Sequence, residues 1–247
     1  MQQAFVIPVY KHGSTLKAVI DSLRQYELPV IVVDDGNDSA NKELINAACS
    51  SYSKSILVVN KKNKGKGGAV CEAVKEAHKR GITHIFQIDA DGQHDAGRCK
   101  TFLDASVNNP ESLICGYPEY DESVPAKRKN GREISNNYVR FVTLTSKKEV
   151  VDTMCGHRIY PVEKFYKIIK TSFIDRYMGF DSEILVRMIW KKTPVINLPV
   201  KVTYPVGGTS NFRMIRDNVH ISFMFARMTI GMLLRLPVLV CRKIRRK

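Results

Sequence analysis

Apolar runs and segments with helical periodicity alternate along the first part of the chain. Four short apolar runs have the length and residue types of buried strands, and they lie at 4–9, 29–33, 56–59 and 85–88. Segments with apolar residues three or four apart follow them, at 14–24, 42–49, 69–80 and 99–107. This alternation predicts an α/β fold with a mostly parallel, doubly wound sheet that carries helices on both faces. A chain of 247 residues has room for one such domain and a short accessory segment.

The second half of the chain has a weaker pattern. Apolar runs predict strands at 113–116 and 195–202, and helical spacing predicts helices from about 134 to 144 and from 179 to 190. The run at 155–160 contains the polar sequence Gly156-His157-Arg158. We therefore predict that it forms a strand at the edge of the sheet.

Polar residues stand where each of the first four strands ends. They are Tyr10 and His12, Asp34 and Asp35, Asn60, and Asp89 with Asp91. The carboxyl ends of parallel strands meet at one edge of a sheet, where open α/β sheets bind their ligands. Two carboxylates one residue apart at that edge suit a hard divalent cation that carries phosphates. Considered alone, such a pair is more often a turn or a solvated surface.

The formal charge of +15 favours an anionic partner. Nucleic acid, nucleotide phosphates and an anionic bilayer would all be attracted. No zinc-finger, helix-turn-helix or RNA-binding signature accompanies the charge, so we expect no nucleic-acid partner. The six cysteines show no Cys-x-x-Cys pair, which is typical of reduced cytoplasmic thiols. The chain starts without a secretion signal and contains no apolar run long enough to span a bilayer.

Five short sequence motifs carry a family resemblance through their order and spacing. They are Ile7-Pro8-Val9-Tyr10, Val32-Val33-Asp34-Asp35-Gly36, Asn63-Lys64-Gly65-Lys66-Gly67-Gly68, Asp89-Ala90-Asp91-Gly92-Gln93 and Phe180-Asp181-Ser182-Glu183. Together they resemble the family-2 glycosyltransferases, and within them the dolichyl- or polyprenyl-phosphate sugar synthase branch. The resemblance implies a GT-A (nucleotide-diphospho-sugar transferase) catalytic domain over 1–212. It also implies inverting transfer of a sugar from a UDP- or GDP-linked donor to a lipid or lipid-linked acceptor, which could be a polyprenyl phosphate.

The resemblance also assigns roles to individual residues. Asp89 and Asp91 correspond to the pair that binds Mg²⁺ or Mn²⁺ beside the donor diphosphate. Substrate binding is assigned to Pro8, Tyr10, Asp35, Lys66, Ala90, Gln93, Arg128, Arg132 and Ser210. Of these, Asp35 with Pro8 and Tyr10 would bind the nucleoside, the turn around Lys66 would approach phosphate through its backbone N–H groups, and the two arginines would bind an acceptor phosphate.

Asp181 and Glu183 are the predicted catalytic residues. Asp181 corresponds to a general base, which an alcohol acceptor needs and a phosphate acceptor does not. The alternative is that both are acids interacting with the dipole of a helix N-terminus. Pro205 and Asn211 replace basic residues that are usual in the polyprenyl-phosphate branch. A polysaccharide or small hydroxylated metabolite therefore remains an alternative acceptor, and a non-catalytic nucleotide-binding homologue is a further alternative.

The C-terminal segment, 213–247, is predicted to be an amphipathic basic helix and tail. Its charged residues from 213 to 235 fall on one arc of a helical wheel, and a large apolar face lies opposite. With the basic tail, this pattern favours a peripheral helix on an anionic membrane surface, the inner face of the cytoplasmic membrane. Packing against the catalytic domain or a dimer partner is the alternative, and the sequence leaves the oligomeric state open.

Overall fold

The computed structural model describes residues 1–92, 96–119, 126–201 and 214–244. The strands are β1 (Gln3–Val9), β2 (Val30–Asp34), β3 (Ser55–Val59), β4 (His84–Gln87), β5 (Leu113–Glu119), β6 (Arg158–Pro161) and β7 (Val195–Lys201). The helices are α1 (Gly13–Leu23), α2 (Ser39–Ser50), α3 (Gly65–Lys79), α4 (Cys99–Asn108), α5 (Ala126–Thr143), α6 (Val162–Thr171), α7 (Phe180–Trp190), α8 (Met214–Leu233) and α9 (Leu236–Ile244).

The strands form one sheet in the order β3-β2-β1-β4-β6-β5-β7. β1 to β4 are parallel, so their carboxyl ends meet at one edge as the sequence predicts. β6 runs antiparallel between β4 and β5. The prediction that 155–160 forms an edge strand is therefore wrong. Arg158 made this strand look solvated, but its side chain is fully buried in the interior of the protein.

Helices cover both faces of the sheet, which confirms the doubly wound α/β architecture. One apolar core lies under α1, α2 and α4 and is built from residues such as Leu16, Ile45 and Phe102. The other core lies under α3, α5, α6, α7 and α8. This second core is the larger one because the C-terminal helix contributes to it.

Helix α8 packs against α5 and α7, and two residues of its charged arc, Asp217 and Arg227, face inward. Met224, Met228 and Met232 are buried in the core, and Arg227 forms an ion pair with the buried Glu183. This packing supports the alternative that the C-terminal helix contacts the catalytic domain, and the peripheral membrane helix stays a prediction. The exposed face is apolar and includes Phe223, which is 62% exposed.

Among the described residues, no single helix is long and apolar enough to cross a membrane. The bent pair Asp217–Leu233 and Leu236–Ile244, with 71° between its halves, meets the same criterion by length and composition alone.

Candidate active site

The turn after β2 joins the ends of three strands. Asp34 Oδ1 accepts hydrogen bonds from the backbone and side-chain nitrogens of Asn37, whose amide also donates to the Val9 carbonyl. Asp35 Oδ1 accepts from Asn60 Nδ2 at 2.8 Å and from the Lys64 backbone nitrogen at 2.9 Å. Burial raises the pKa of Asp35, although these two donors oppose the shift. The Asp35 carboxylate is therefore held at the edge of the sheet.

Pro8 and Tyr10 lie beside this turn at the end of β1. Pro8 is half-buried and pairs in register with Val33, and the Tyr10 ring is exposed. The backbone nitrogen of Lys11 donates to Asn37 Oδ1, which connects this strand end to the Asp34 turn. These contacts place the three predicted nucleoside-binding residues at one edge of the sheet. Asn37 has no signal in the sequence that distinguishes it from any turn asparagine.

The glycine-rich first turn of α3 is packed against protein instead of forming an open phosphate cradle. The backbone nitrogens of Gly67 and Gly68 both donate to the Arg176 carbonyl. A Cβ on Gly67 would lie 2.6 Å from the Phe180 ring. The glycines therefore let α3 approach the start of α7 closely, and two of the N–H groups expected to bind phosphate already have partners.

This close approach places Lys66 between two carboxylates. Its Nζ lies 3.0 Å from Asp89 Oδ1 and 3.2 Å from Asp181 Oδ2. Burial opposes the charged form, but Asp181 and Asp89 together raise the pKa of Lys66 above its ordinary value. A Cβ on Gly156 would lie 2.5 Å from Lys66 Nζ. The space for this ammonium thus depends on a glycine that the sequence analysis did not identify as functional.

Two buried side chains from the central strands support Asp181. Gln87 Nε2 approaches Asp181 Oδ1 at 3.4 Å, and Arg158 Nη1 donates to the Asp181 carbonyl oxygen. The Nε and Nη2 atoms of Arg158 are buried and have no acceptor among the described residues. A buried guanidinium below the first turn of α7 adds positive charge beneath Asp181. Sequence reasoning missed Arg158 because its strand was expected at the sheet edge.

The donor chemistry of Asp89 and Asp91 fits a hard divalent cation. Both residues follow β4, and the side chain of Asp89 already binds one cation, the Lys66 ammonium. Mg²⁺ and Mn²⁺ take carboxylate oxygens and commonly complete their coordination with substrate phosphates and water. Among the described residues, no group of three or more His, Cys, Asp or Glu could hold a metal ion. Substrate phosphates and water would complete the coordination of a metal held by these two carboxylates.

An ion pair and hydrogen bonds connect the first part of α5, including Arg132, to the loop before β6. Arg132 Nη1 lies 2.9 Å from Asp152 Oδ2. One turn later, the Ser135 hydroxyl lies 3.0 Å from Thr153 Oγ1 and 3.1 Å from Ser182 Oγ. This network connects α5 to the first turn of α7, so Arg132 lies near the site while its charge is partly neutralised.

Glu183 does not join the cluster around Asp181. Its carboxylate is fully buried, accepts from the Asp175 backbone nitrogen and pairs with Arg187 and Arg227. The contacts with Asp175 and Arg227 hold α7 to its neighbours, and Arg187 lies one turn further along α7 itself. The burial of the carboxylate argues against a catalytic role for Glu183, which stays a prediction.

Some predicted substrate-binding residues cannot be placed. Gln93 and Ser210 lie outside the described residues, and so does the side chain of Arg128. Ala90 is buried next to the metal-site carboxylates, and its carbonyl accepts from the Thr15 hydroxyl at 2.6 Å.

A family comparison agrees with this geometry. The family described as glycosyl transferase family 2 matches residues 4–169, more than half of the chain. The chain belongs to this family. It is 26% identical to a dolichyl-phosphate beta-glucosyltransferase of Dictyostelium discoideum, over 89% of this chain and 73% of the relative. It is 24% identical to a UDP-N-acetylglucosamine–dolichyl-phosphate N-acetylglucosaminyltransferase of Methanococcus voltae, over 81% and 84%. The predicted resemblance to the polyprenyl-phosphate branch is supported, and the protein is a glycosyltransferase.

Solved structures support the fold. Mannosyl-3-phosphoglycerate synthase of Rubrobacter xylanophilus aligns with a TM-score of 0.67 and 13% identity, over 96% of this chain and 75% of that one. A mannosyltransferase of Pyrobaculum calidifontis, solved with GDP-Man and Mn²⁺, aligns with a TM-score of 0.57 and 13% identity, over 84% and 58%. The GT-A architecture expected from the sequence is thereby confirmed.

Proposed function

We propose that this family-2 enzyme transfers a hexosyl group, with inversion at the anomeric carbon, from a UDP- or GDP-linked sugar to the phosphate of a polyprenyl phosphate at a membrane surface. The observation that carries the proposal is the Lys66 ammonium between Asp89 and Asp181 at the carboxyl edge of the sheet. The names of the two dolichyl-phosphate transferases above support the acceptor class.

The donor would bind along the edge formed by β1, β2 and β4. Asp35 presents carboxylate oxygens that accept hydrogen bonds from a base or ribose, and Pro8 and Tyr10 flank it. The diphosphate would then lie towards Asp89 and Asp91. A divalent ion held by these two carboxylates would neutralise the charge that develops on the leaving nucleoside diphosphate.

The environment of Asp181 favours a phosphate acceptor. A phosphate oxygen carries its own negative charge, so no proton has to be removed when it attacks the anomeric carbon. A carboxylate paired with an ammonium is a weak proton acceptor but a strong anchor for that ammonium. We therefore propose that Asp181 is a positioning residue that holds Lys66, whose ammonium can bind phosphate oxygens of the substrates. Arg132, and Arg128 next to it in sequence, would contribute further positive charge for the acceptor.

The exposed apolar face of α8 and α9 supports a membrane location. Val219, Phe223, Ile230 and Leu233 are exposed along α8, and the second helix adds Val238 and Val240. A contiguous apolar surface of this kind is typical of contact with a membrane or another protein. A polyprenyl phosphate is itself confined to a membrane, so enzyme and acceptor would meet at its surface.

A transfer assay tests this function. The full-length chain is incubated with Mn²⁺, a panel of UDP- and GDP-sugars and either a polyprenyl phosphate or the matching polyprenol, and the glycosylated lipid is quantified. We expect one donor to be used and the phosphate to be strongly preferred. Equal transfer to the polyprenol, or transfer only to a polysaccharide, would contradict the proposed acceptor.

The same assay tests the metal site. The variant Asp91→Ala should lose Mn²⁺-dependent donor binding while keeping its fold, because Asp91 lies at the sheet edge and outside the apolar cores. Unchanged Mn²⁺ dependence in this variant would rule out Asp89 and Asp91 as the metal ligands.

A further inference from the structure

A cavity with a basic lining lies at the other end of α7, away from the cluster around Asp181. It has a volume of about 350 Å³ and opens between the ends of α6 and α7 and the C-terminal helices. This volume lies within the roughly 300–1,000 Å³ of small-molecule sites. We call it the basic pocket, and its charged lining consists of Arg187, Lys191, Lys192, Arg235 and Arg242. Asp181 and Trp190 are separated by roughly 14 Å along the helix at about 1.5 Å per residue, so the pocket is distinct from the active site.

Most of the positive charge in the basic pocket has no negative partner. Arg187 pairs with Glu183 at 2.7 Å. In the part of the chain that the structure describes, Lys191, Lys192, Arg235 and Arg242 form no ion pair with a carboxylate. Like charges gathered within about 10 Å of one another repel. The C-terminal end of α7 contributes only about half a negative charge, so it offsets a small part of that repulsion.

Hydrogen-bond donors also remain available in the pocket. Arg235 lies over the Trp190 ring at 4.7 Å and donates one nitrogen to the Gly231 carbonyl. Arg242 donates Nη1 to the Trp190 carbonyl, whereas its Nε is buried without an acceptor. Planar guanidinium groups with free donors bind the oxygens of a phosphate group in a bidentate manner.

Lys192 occupies a position where glycine is the usual residue. Its φ is 63°, in the left-handed region, at the end of α7. Its backbone nitrogen donates to the Ile189 carbonyl, and that of Thr193 donates to Met188, as in a helix-ending Schellman motif. This backbone conformation is strained for any residue with a side chain, so glycine at this position would relieve the strain and remove the cation.

The pocket adjoins the exposed apolar face of the C-terminal helices. Leu234 is 78% exposed, and Leu236 and Val238 continue this surface on α9. A phosphate group with an attached acyl chain matches both features, since its head is anionic and its tail is apolar. We propose that the basic pocket binds the phosphate headgroup of an anionic lipid, separately from the acceptor that reacts at Asp181.

Vesicle binding with matched variants tests this site. The full-length protein is sedimented with phosphatidylcholine vesicles that either contain or lack phosphatidylglycerol. The double variant Lys191→Gln/Lys192→Gly should bind the anionic vesicles on the order of tenfold or more weakly, since each cation near an anionic surface contributes about fivefold. The control Lys147→Gln/Lys148→Gln removes the same charge from exposed lysines outside the pocket and should bind like the wild type.

Two further measurements exclude unfolding and a damaged active site as causes of weaker vesicle binding. Because Lys192→Gly relieves the left-handed strain, its melting temperature should not fall, so loss of binding cannot come from unfolding. Sugar transfer to a short, water-soluble acceptor phosphate should be unchanged, so failure of this site and failure of the proposed function give different results.

Two outcomes would overturn the lipid assignment. The first is equal weakening of vesicle binding in the pocket variant and the lysine control. The second is that inorganic phosphate, measured by calorimetry, saturates the wild-type pocket and fully displaces the protein from vesicles, since the pocket would then be a site for free phosphate.

Discussion

The two ends of helix α7 lie among side chains of opposite charge. At the N-terminal end, one ammonium lies between the carboxylates of Asp89 and Asp181, and Asp91 follows close by in sequence. At the C-terminal end, four cations line a cavity without a carboxylate partner among the described residues. The first arrangement suits a cation with bound phosphates, and the second suits an anion. One rigid helix therefore fixes the distance between a reaction site and a site for a different ligand.

The largest effects are expected at the N-terminal end. Asp181→Asn and Lys66→Met should each lower kcat by on the order of a hundredfold, and the double variant should be little worse, because both side chains act as one unit. Steady-state transfer rates of the three variants test this. Asp104→Asn, which breaks an exposed surface pair with Lys100, is the control and should retain full activity.

The pH profile of the wild type sharpens this prediction. With Asp181 as a positioning residue and a phosphate acceptor, we expect the kcat profile to show no loss of activity at low pH, an acidic limb, that disappears in Asp181→Asn. Such a limb, together with strictly additive losses in the double variant, would instead indicate a general base and a hydroxyl acceptor.

A smaller effect, on stability and not on chemistry, is expected at Glu183, two residues after Asp181 in the first turn of α7. Glu183→Gln leaves Arg187 and Arg227 without their shared carboxylate and should lower the free energy of unfolding by about 3–5 kcal/mol. Urea denaturation measures this change as a lower midpoint at constant slope. Glu163→Gln, at an exposed ion pair, should change little. Full stability with lost turnover in Glu183→Gln would restore the catalytic role predicted from the sequence.

The smallest effect is expected from one added methyl group. Gly156→Ala would place its Cβ 2.5 Å from Lys66 Nζ, and the flexible ammonium has to shift. We expect kcat to fall roughly tenfold, which corresponds to about 1.4 kcal/mol in the barrier. Gly131→Ala is the matched control, because nothing lies within 4 Å of its added Cβ and alanine favours the helix. Equal activity of the two variants would show that the position of Lys66 does not limit turnover.

The features of the fold that depend on the local sequence pattern were predicted from the sequence. Apolar runs of strand length predicted the four parallel strands, and parallel topology alone then brought Asp35, Asp89 and the end of β1 to one edge. The pattern of Phe180-Asp181 at a helix start likewise placed Asp181 correctly on α7.

What depends on distant partners was not predictable from the sequence. The sequence suggested that Arg158 lies at the surface, because no neighbouring residue indicates that β6 lies between β4 and β5. In the structure, Arg158 is buried. A helical wheel separated the charged and apolar arcs of α8, but it could not show that Arg227 has a buried partner at Glu183. The burial of Glu183 between Arg187 and Arg227 was not predictable for the same reason.

The central position of β6 has a consequence for protein synthesis. β4 finds its neighbour on that side only when residues 158–161 are available, about 70 residues later in the chain. At roughly 5–20 residues per second, translation leaves the edge of a four-stranded nascent sheet open for roughly 4–15 s. An open strand edge is a template for pairing with other chains. Expression at low temperature or with truncation before residue 158 should therefore favour aggregation of the ribosome-bound product, whereas a chain that extends beyond α6 has its own strand to close the gap.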